Sequence, residues 1–225
     1  MNPSVLYEEK DFAVINKPAG LIVHGASPSL VEWLLEKYPE VAAVGDKPEE
    51  RAGIVHRLDK DTSGVMIIPR TQEAFVYFKD QFQQHNIKKI YKALVYGSPR
   101  EREGVIDKPI GLVPDSVRRT VFVKRAKMVK DAVTKYGVVK TFEIDGVQVS
   151  LIRAEPLTGR THQIRVHLDS IGCPIVGDKL YGPKKPAIVL ACQFLHAESI
   201  EFTAPSGKAL VVSAPLPEEL QKLIG

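Results

Sequence analysis

Residues 53–64 read Gly-Ile-Val-His-Arg-Leu-Asp-Lys-Asp-Thr-Ser-Gly, and this stretch decides how the sequence around it is interpreted. Apolar residues lead into it, charged and hydroxyl side chains crowd its middle, and residues 65–68 after it are wholly apolar. Because Pro69 follows that apolar run, the pattern predicts a short buried strand preceded by a polar loop. Loops at the rim of a core commonly carry functional sites, so Asp59 is a candidate site residue. The alternative is an ordinary charged turn.

The elements outside this stretch are mostly strands. Strands are predicted at residues 5–7, 12–16, 90–96, 139–144, 147–154, 189–196, 200–202 and 210–214, in addition to 65–68. Helices are predicted from Ser29, Thr71 and Thr161, each acting as an N-cap, and over residues 217–224. Residues 39–53 are predicted to be a loop, and 104–140 to form extended hairpins. Since helices and strands do not alternate regularly, the fold class is α+β with a largely antiparallel sheet.

The composition is that of an ordinary globular protein, with a net charge of +4 over 225 residues. Residues 118–140 hold eight basic side chains and one acid, Asp131, so the positive charge is concentrated in one segment. Such a segment is typical of a polyanion-binding surface, although a solvated basic hairpin is equally compatible with it. No apolar run approaches the roughly 18 residues of a membrane span. Two cysteines, Cys173 and Cys192, fit a reducing cytoplasm.

Two further segments carry candidate site residues. Tyr91 lies on the alternating strand 90–96, where a tyrosine is more often a core residue than a functional one. In residues 157–168, Leu-Thr-Gly-Arg-Thr-His-Gln-Ile-Arg-Val-His-Leu, the predicted helix places Ile164 and Leu168 at core spacing. Arg165 falls on a different, polar face with His162, from which it could face a cleft. The alternative for Arg165 is an ordinary surface arginine.

Four segments together resemble the signatures of the RluA-type pseudouridine synthases. They are residues 16–24, 56–64, 159–167 and 172–178, and the likeness runs in order from about Asp11 to Pro217. The resemblance implies an α+β fold with a central mixed, mostly antiparallel sheet, flanking helices and a central active-site cleft between two lobes. With no linker in the sequence, we expect residues 1–225 to form one catalytic domain.

The resemblance also implies roles for individual residues. Asp59 is the catalytic aspartate, Tyr91 lies against the target base, and Arg165 is the ion-pair partner of Asp59. Arg57 matches a position that can occupy the space vacated by the displaced base. The side chains expected to contact RNA are His56, Arg57, Arg118, Arg119, Lys124, Arg125, Arg160 and His162.

The implied reaction explains why a carboxylate is central. Pseudouridine formation breaks the bond from uracil N1 to ribose C1′, turns the base and rejoins C1′ to C5, after the nucleotide is flipped out of its stack. Asp59 could attack C1′ or remove the C2′ proton, and the sequence does not choose between these routes. A guanidinium beside the carboxylate favours its ionised form. The reaction needs no cofactor and no metal.

The remaining expectations concern partners and location. The substrate is ribosomal or transfer RNA, with no membrane and no obligatory protein partner, and the protein is expected to be a cytoplasmic monomer. Two departures from the family pattern are visible. The chain starts directly with catalytic-domain sequence rather than an S4-like domain, and Ala204 stands where relatives often carry histidine.

Three other functions fit the sequence less well. Residues 59–62 fit the Asp-x-Asp-x-Thr loop of haloacid-dehalogenase-type phosphatases, but His56 and Arg57 interrupt the apolar strand that should precede it. A metal site is disfavoured because His162 and His167, five residues apart, diverge around a helix. A non-catalytic RNA-binding module explains the basic segment but not a central acid in the most polar loop.

Overall fold

A computed structural model describes residues 2–225, which divide into two compact units. The first unit contains the described residues up to Lys89 together with Ala197–Leu216. The second contains Ile90–His196 and Pro217–Gly225. The α+β class predicted from the sequence is confirmed, because antiparallel strands dominate both units and helices are few. The single-domain assignment stays a prediction.

The bounds of the elements are as follows. The strands are β1 (Ser4–Glu8), β2 (Phe12–Lys17), β3 (Ser63–Pro69), β4 (Lys88–Tyr96), β5 (Glu103–Asp107), β6 (Ile110–Leu112), β7 (Arg119–Thr120), β8 (Lys127–Lys130), β9 (Val133–Ile144), β10 (Val147–Pro156), β11 (Leu195–Thr203) and β12 (Ala209–Ser213). The helices are α1 (Leu30–Lys37), α2 (Pro48–Arg51), α3 (Gln72–Gln83), α4 (Gln163–Asp169) and α5 (Glu218–Ile224), with 3₁₀ turns at Pro39–Ala43 and Val123–Arg125. Within residues 2–225 no helix has the length and apolarity to cross a membrane.

The first unit is built on the antiparallel strands β1, β2 and β3, followed in the sheet by β11, which pairs with β12. β3 is buried along its whole length, as its apolar sequence predicted. Phe12, Phe78 and Phe202 meet edge to face in the core, with ring centroids 5.2–5.8 Å apart. The two helix starts were predicted correctly, since Ser29 forms a capping box on α1 and Thr71 caps α3.

The second unit is an antiparallel sheet in the order β4-β10-β9-β5. The predicted hairpin over Asp145 and Gly146 is present, and both residues have the positive φ angles, 50° and 76°, of a tight two-residue turn. A separate three-stranded sheet, β7-β6-β8, lies between β5 and β9 in the chain. The chain leaves β5 for this sheet at Asp107 and returns to β9 at Val133, and these two residues pair with each other.

The start of α4 was predicted wrongly. Thr161 is not its cap; His162 occupies the N-cap position in the left-handed region, with φ 59°, and makes no side-chain cap. Gln163, the first residue of α4, instead ties the preceding loop to the helix, because its Oε1 accepts hydrogen bonds from the Arg160 amide at 3.0 Å and the Thr158 hydroxyl at 2.7 Å. The polar face predicted for this helix is also wrong at Arg165, which is buried.

Two other segments differ from the prediction. Residues 39–53 are not an open loop, because Pro39 and Pro48 each begin a short helix, where a missing backbone N–H costs no hydrogen bond. The strand predicted over residues 189–196 begins only at Leu195. Before it the backbone is irregular, and Val189 is 80% exposed.

Candidate active site

Asp59 lies in the loop between α2 and β3, in the first unit, and its side chain is half-buried. The backbone is fixed on both sides of it. Leu58 is buried in the core, and the Thr62 amide donates to the Asp59 carbonyl at 3.1 Å to close a turn. Arg57, the neighbour expected to replace the flipped base, is exposed. The loop therefore presents a carboxylate from a backbone held by hydrogen bonds and core packing, with an exposed cation beside it.

Lys17 holds this loop from the other motif of the unit, residues 16–24. Its side chain is fully buried, and its Nζ donates to the carbonyls of Pro18 and Leu21 at 2.8 Å and of Lys60 at 3.0 Å. The Gly20 amide donates to the same Lys60 carbonyl at 2.9 Å. Lys17 and Lys60 are 43 positions apart in the sequence, and their hydrogen bond joins two chain segments at the residue next to Asp59.

The imidazole of His56 makes contacts within the protein. Its Nε2 accepts the Ile67 amide of β3 at 2.9 Å, and its ring lies 4.5 Å from the Phe82 ring. Burial, and then the charge of Lys89, lower the pKa of His56 to about 3, so the imidazole is neutral at physiological pH. The RNA contact predicted for His56 stays a prediction, whereas its hydrogen bond to β3 indicates a positioning role.

Gly64 explains why the loop can enter β3 where it does. Its φ is 119°, and a Cβ atom built there would lie 2.1 Å from the Ala197 carbonyl oxygen of β11. Only a residue without a side chain fits both the conformation and this approach of two backbones. Any larger residue at position 64 would displace the start of β3 and, with it, the turn that carries Asp59.

Arg165 lies in the second unit, on α4, and forms a buried ion pair with Asp178. Its Nε and Nη2 donate to the two carboxylate oxygens at 2.7 and 2.8 Å. Burial alone raises the pKa of Asp178, but the hydrogen bonds and charge of Arg165, with the amides of Tyr181 and Leu180, lower it below its usual value. The guanidinium is therefore held in one orientation by a carboxylate whose ionised form is favoured. Its predicted pairing with Asp59 stays a prediction.

Tyr181 connects Arg165 to the basic segment. The guanidinium groups of Arg165 and Arg118 lie 5.1 and 5.3 Å from the centroid of its ring. Its hydroxyl accepts the Arg119 amide at 2.8 Å and lies 2.9 Å from His162 Nδ1. Four predicted site residues thus lie around Tyr181, which was not predicted from the sequence: Arg118, Arg119, His162 and Arg165.

Tyr91 lies on β4, opposite Ala154 of β10, and is half-buried. Its ring packs against the core of the second unit, which includes Ile152, Ile164 and Leu168. This packing fixes the position of the ring. Its contact with a target base stays a prediction.

The remaining basic residues of the site prediction occupy the surface. Lys124 and Arg125 are exposed on the 3₁₀ turn, and Arg160 is half-buried with its Nε donating to the Asp131 carbonyl at 2.9 Å. Within the described part of the chain, no three His, Cys, Asp or Glu side chains are grouped so that they could hold a metal ion.

Sequence reasoning missed three residues of the site: Lys17, Asp178 and Tyr181. Lys17 and Asp178 each lie in one of the four motif segments, so both had a local signal. Tyr181 had no local signal in the sequence, because its contacts come from separate segments of the second unit.

Known proteins resemble this chain in sequence and in fold. The sequence model of the family described as RNA pseudouridylate synthase matches residues 11–170. A protein of Chloroflexus aurantiacus, named an uncharacterized RNA pseudouridine synthase, is 46% identical over 92% of this chain and 63% of its own length. The ribosomal large subunit pseudouridine synthase D of Nitrosomonas europaea is 40% identical over 98% and 64%. The chain thus spans just under two thirds of the length of these two relatives.

The fold has a solved counterpart in the human RNA pseudouridylate synthase domain containing 1, with a TM-score of 0.78 and 26% identity. The match covers 95% of this chain and 83% of the human one. These likenesses define a class of isomerases that act on RNA. The chain belongs to the RNA pseudouridylate synthase family, as its four motif segments predicted.

Proposed function

We propose that this protein converts specific uridines of a structured RNA into pseudouridine, with Asp59 as the residue that acts on the ribose. The observation that supports this most directly is the fixed backbone on both sides of Asp59, which holds a carboxylate in the family's catalytic motif. Such preorganisation is what a reaction at a single sugar carbon requires.

Asp59 can act in either of two ways. Its carboxylate can attack C1′ and release uracil as the leaving group, giving a covalent sugar–enzyme ester, or it can take the C2′ proton and give a glycal. In the covalent route C5 of the turned uracil attacks C1′ and displaces the Asp59 carboxylate. In the glycal route C5 bonds to C1′ while Asp59 returns the proton to C2′. In both routes the C5 proton then leaves and N1 takes up a proton. Arg165, already oriented by Asp178, is the group proposed to keep the carboxylate ionised.

Tyr91 and Arg57 are proposed to handle the base. The packed ring of Tyr91 gives a flat surface on which detached uracil can turn while stacked. The exposed side chain of Arg57 can fill the gap that the flipped nucleotide leaves in the RNA.

The RNA proposed first is ribosomal RNA of the large subunit, since relatives at 35–40% identity carry that subunit in their names. Transfer RNA is the second candidate. The location that fits either substrate is the cytoplasm, and a monomer that uses no cofactor suffices for the chemistry.

Tritium release tests the activity. RNA from a strain that lacks this gene is labelled with tritium at uridine C5 and incubated with the protein. The wild type should release tritium, and Asp59→Asn should bind the RNA but release none above background. Asp61→Asn, which changes the neighbouring carboxylate, is the matched control. The proposal is wrong if wild-type protein releases no tritium, or if Asp59→Asn releases it as fast as wild type.

A further inference from the structure

The segment that carries β7 and β8 exposes apolar side chains that its own unit does not cover. Phe122 is 84% exposed, Val117 73% and Met128 71%. A single exposed apolar residue is ordinary, but an aromatic ring this open is unusual for a residue type that normally buries most of its surface. We call residues 116–130 the Phe122 platform.

The exposure does not come from a poorly packed segment. The other side of the sheet is anchored by Ile110, which is buried in one cluster with Val166 and Tyr181. The backbone at Phe122 is held, because its amide donates to the Thr120 hydroxyl at 3.0 Å. The ring is therefore presented outward from a backbone with fixed hydrogen bonds.

A bulge orients Met128 in the same platform. The pairing of β6 with β8 shifts between Ile110 and Leu112, so that Met128 and Val129 lie opposite Gly111 alone. Met128 takes a φ of 52°, the left-handed conformation of an extra bulge residue. Bulges redirect side chains, and here the redirected methionine is left exposed.

Charge identifies the kind of molecule that fits this surface. Residues 116–130 contain no acid, and their basic residues are Arg118, Arg119, Lys124, Arg125, Lys127 and Lys130. Arg119 Nε is buried without a hydrogen-bond partner within residues 2–225, so part of this cationic group is unsatisfied by the protein. A polymer that carries one negative charge and one flat ring in each unit matches cations interspersed with an exposed aromatic.

We propose that Phe122 stacks on an unpaired base of the RNA substrate, outside the uridine that is isomerised, while the surrounding cations bind the flanking phosphates. This inference rests on the proposed function for the identity of the RNA. It adds a second, base-contacting site to a segment for which only phosphate contacts had been expected. Stacking of this kind contributes about 1–3 kcal/mol per base.

Binding measured without turnover tests the stacking. All variants are made in the Asp59→Asn background, and fluorescence anisotropy measures the Kd for two probes: a single-stranded oligouridine, and an oligomer of the same length with the sugar–phosphate backbone but no bases. Phe122→Ala should weaken oligouridine binding by about 5- to 100-fold and leave the baseless probe unchanged. Phe122→Tyr, which keeps a ring, should retain the oligouridine affinity.

Two control variants separate stacking from charge and from a general surface effect. Lys124→Gln should weaken both probes and lower the slope of log Kd against log salt by about 1. Val117→Ala, an exposed apolar residue without a ring, should change neither probe.

The outcomes are distinguishable from those of the proposed function. If Phe122→Ala binds oligouridine as wild type does, or loses both probes equally, base stacking is overturned; the platform would then serve a protein partner or backbone binding only. That result leaves tritium release by the wild type untouched. Conversely, absence of tritium release overturns the isomerase proposal even if Phe122 stacks on RNA.

Discussion

The Nζ of Lys17 donates a hydrogen bond of 3.0 Å to the backbone carbonyl of Lys60, the residue that follows the candidate catalytic Asp59. A fully buried ammonium is costly unless its donors are satisfied, and here the carbonyls of Pro18 and Leu21 accept as well. The charge therefore serves to join two chain segments at the edge of the site.

Replacement of this lysine should separate the two segments. Lys17→Met keeps the length of the side chain but leaves buried carbonyls unpaired, so we expect the free energy of unfolding to fall by about 2–4 kcal/mol. Urea denaturation measures it, with Lys184→Met, an exposed lysine, as the control. If Lys17→Met lowers the free energy of unfolding no more than Lys184→Met does, the hydrogen bonds of Lys17 do not stabilise the fold.

The ion pair between Arg165 and Asp178 should be visible in the pH dependence of stability. Asp178→Asn leaves a buried guanidinium without its anion, and we expect a loss of about 3 kcal/mol at neutral pH. Because the folded pKa of Asp178 lies below its unfolded value, wild type keeps this contribution above pH about 4 and loses it as pH falls further.

The difference between wild type and Asp178→Asn should therefore shrink on acidification below pH about 4. Chemical denaturation at a series of pH values measures this difference. Asp115→Asn is the matched control, because Asp115 is exposed and its φ of 56° suits asparagine. A difference that stays constant down to strongly acidic pH would contradict the assigned ion pair.

His56 should remain neutral far below the ordinary histidine range. Its pKa of about 3 predicts that its imidazole resonances in the folded protein do not titrate between neutral pH and pH about 4. Because the folded pKa is depressed, this histidine contributes stability that is complete above pH about 6.5 and is lost as pH falls towards 3.

Nuclear magnetic resonance of the imidazole measures this directly, with the urea-unfolded protein as reference, where the same resonance should titrate near 6.5. Titration of the folded resonance near 6 would mean that His56 is open to solvent and available as a cation for RNA.

Tyr91 allows the ring and the hydroxyl to be tested separately. Tyr91→Phe keeps the flat, core-packed ring, whereas Tyr91→Leu removes it. If the ring supports the turning uracil, tritium release should fall at least about 10-fold further in the leucine variant than in the phenylalanine variant.

Thermal unfolding should confirm that both Tyr91 variants fold. Equal activity of the two would remove the ring from the mechanism. A loss of about 100-fold or more already in Tyr91→Phe would instead assign the proton removal at C5 to the hydroxyl.

Local signals in the sequence were enough for much of the fold. The capping box at Ser29 and the turn at Asp145 are set by a few adjacent residues, and both were predicted correctly. The start of α4 was not, because His162 in the left-handed region, and not Thr161, precedes the helix, while Gln163 accepts a hydrogen bond from the Arg160 amide of the loop. Such a contact depends on loop geometry that no residue pattern specifies.

The site residues also divide into those that a local sequence pattern identifies and those that it does not. The motif around Asp59 is contiguous and could be identified from its residues, whereas the ligands of the buried cations could not. Arg165 pairs with a carboxylate 13 positions away, and Lys17 with a carbonyl 43 positions away. Every residue has a backbone carbonyl, so no sequence pattern marks the ones that accept from a buried lysine. The sequence alone therefore does not distinguish such a lysine from an exposed one.

The three-stranded sheet β7-β6-β8 is joined to the rest of the second unit at Asp107 and Val133, which pair with each other, and this has a consequence for engineering. Chain enters and leaves this small sheet through two adjacent positions, so the segment behaves as a cassette inserted into an otherwise continuous β5–β9 pair. Provided that a replacement keeps Ile110 and Ala132, which pack in one cluster with Tyr181, cassettes from related proteins should be transplantable.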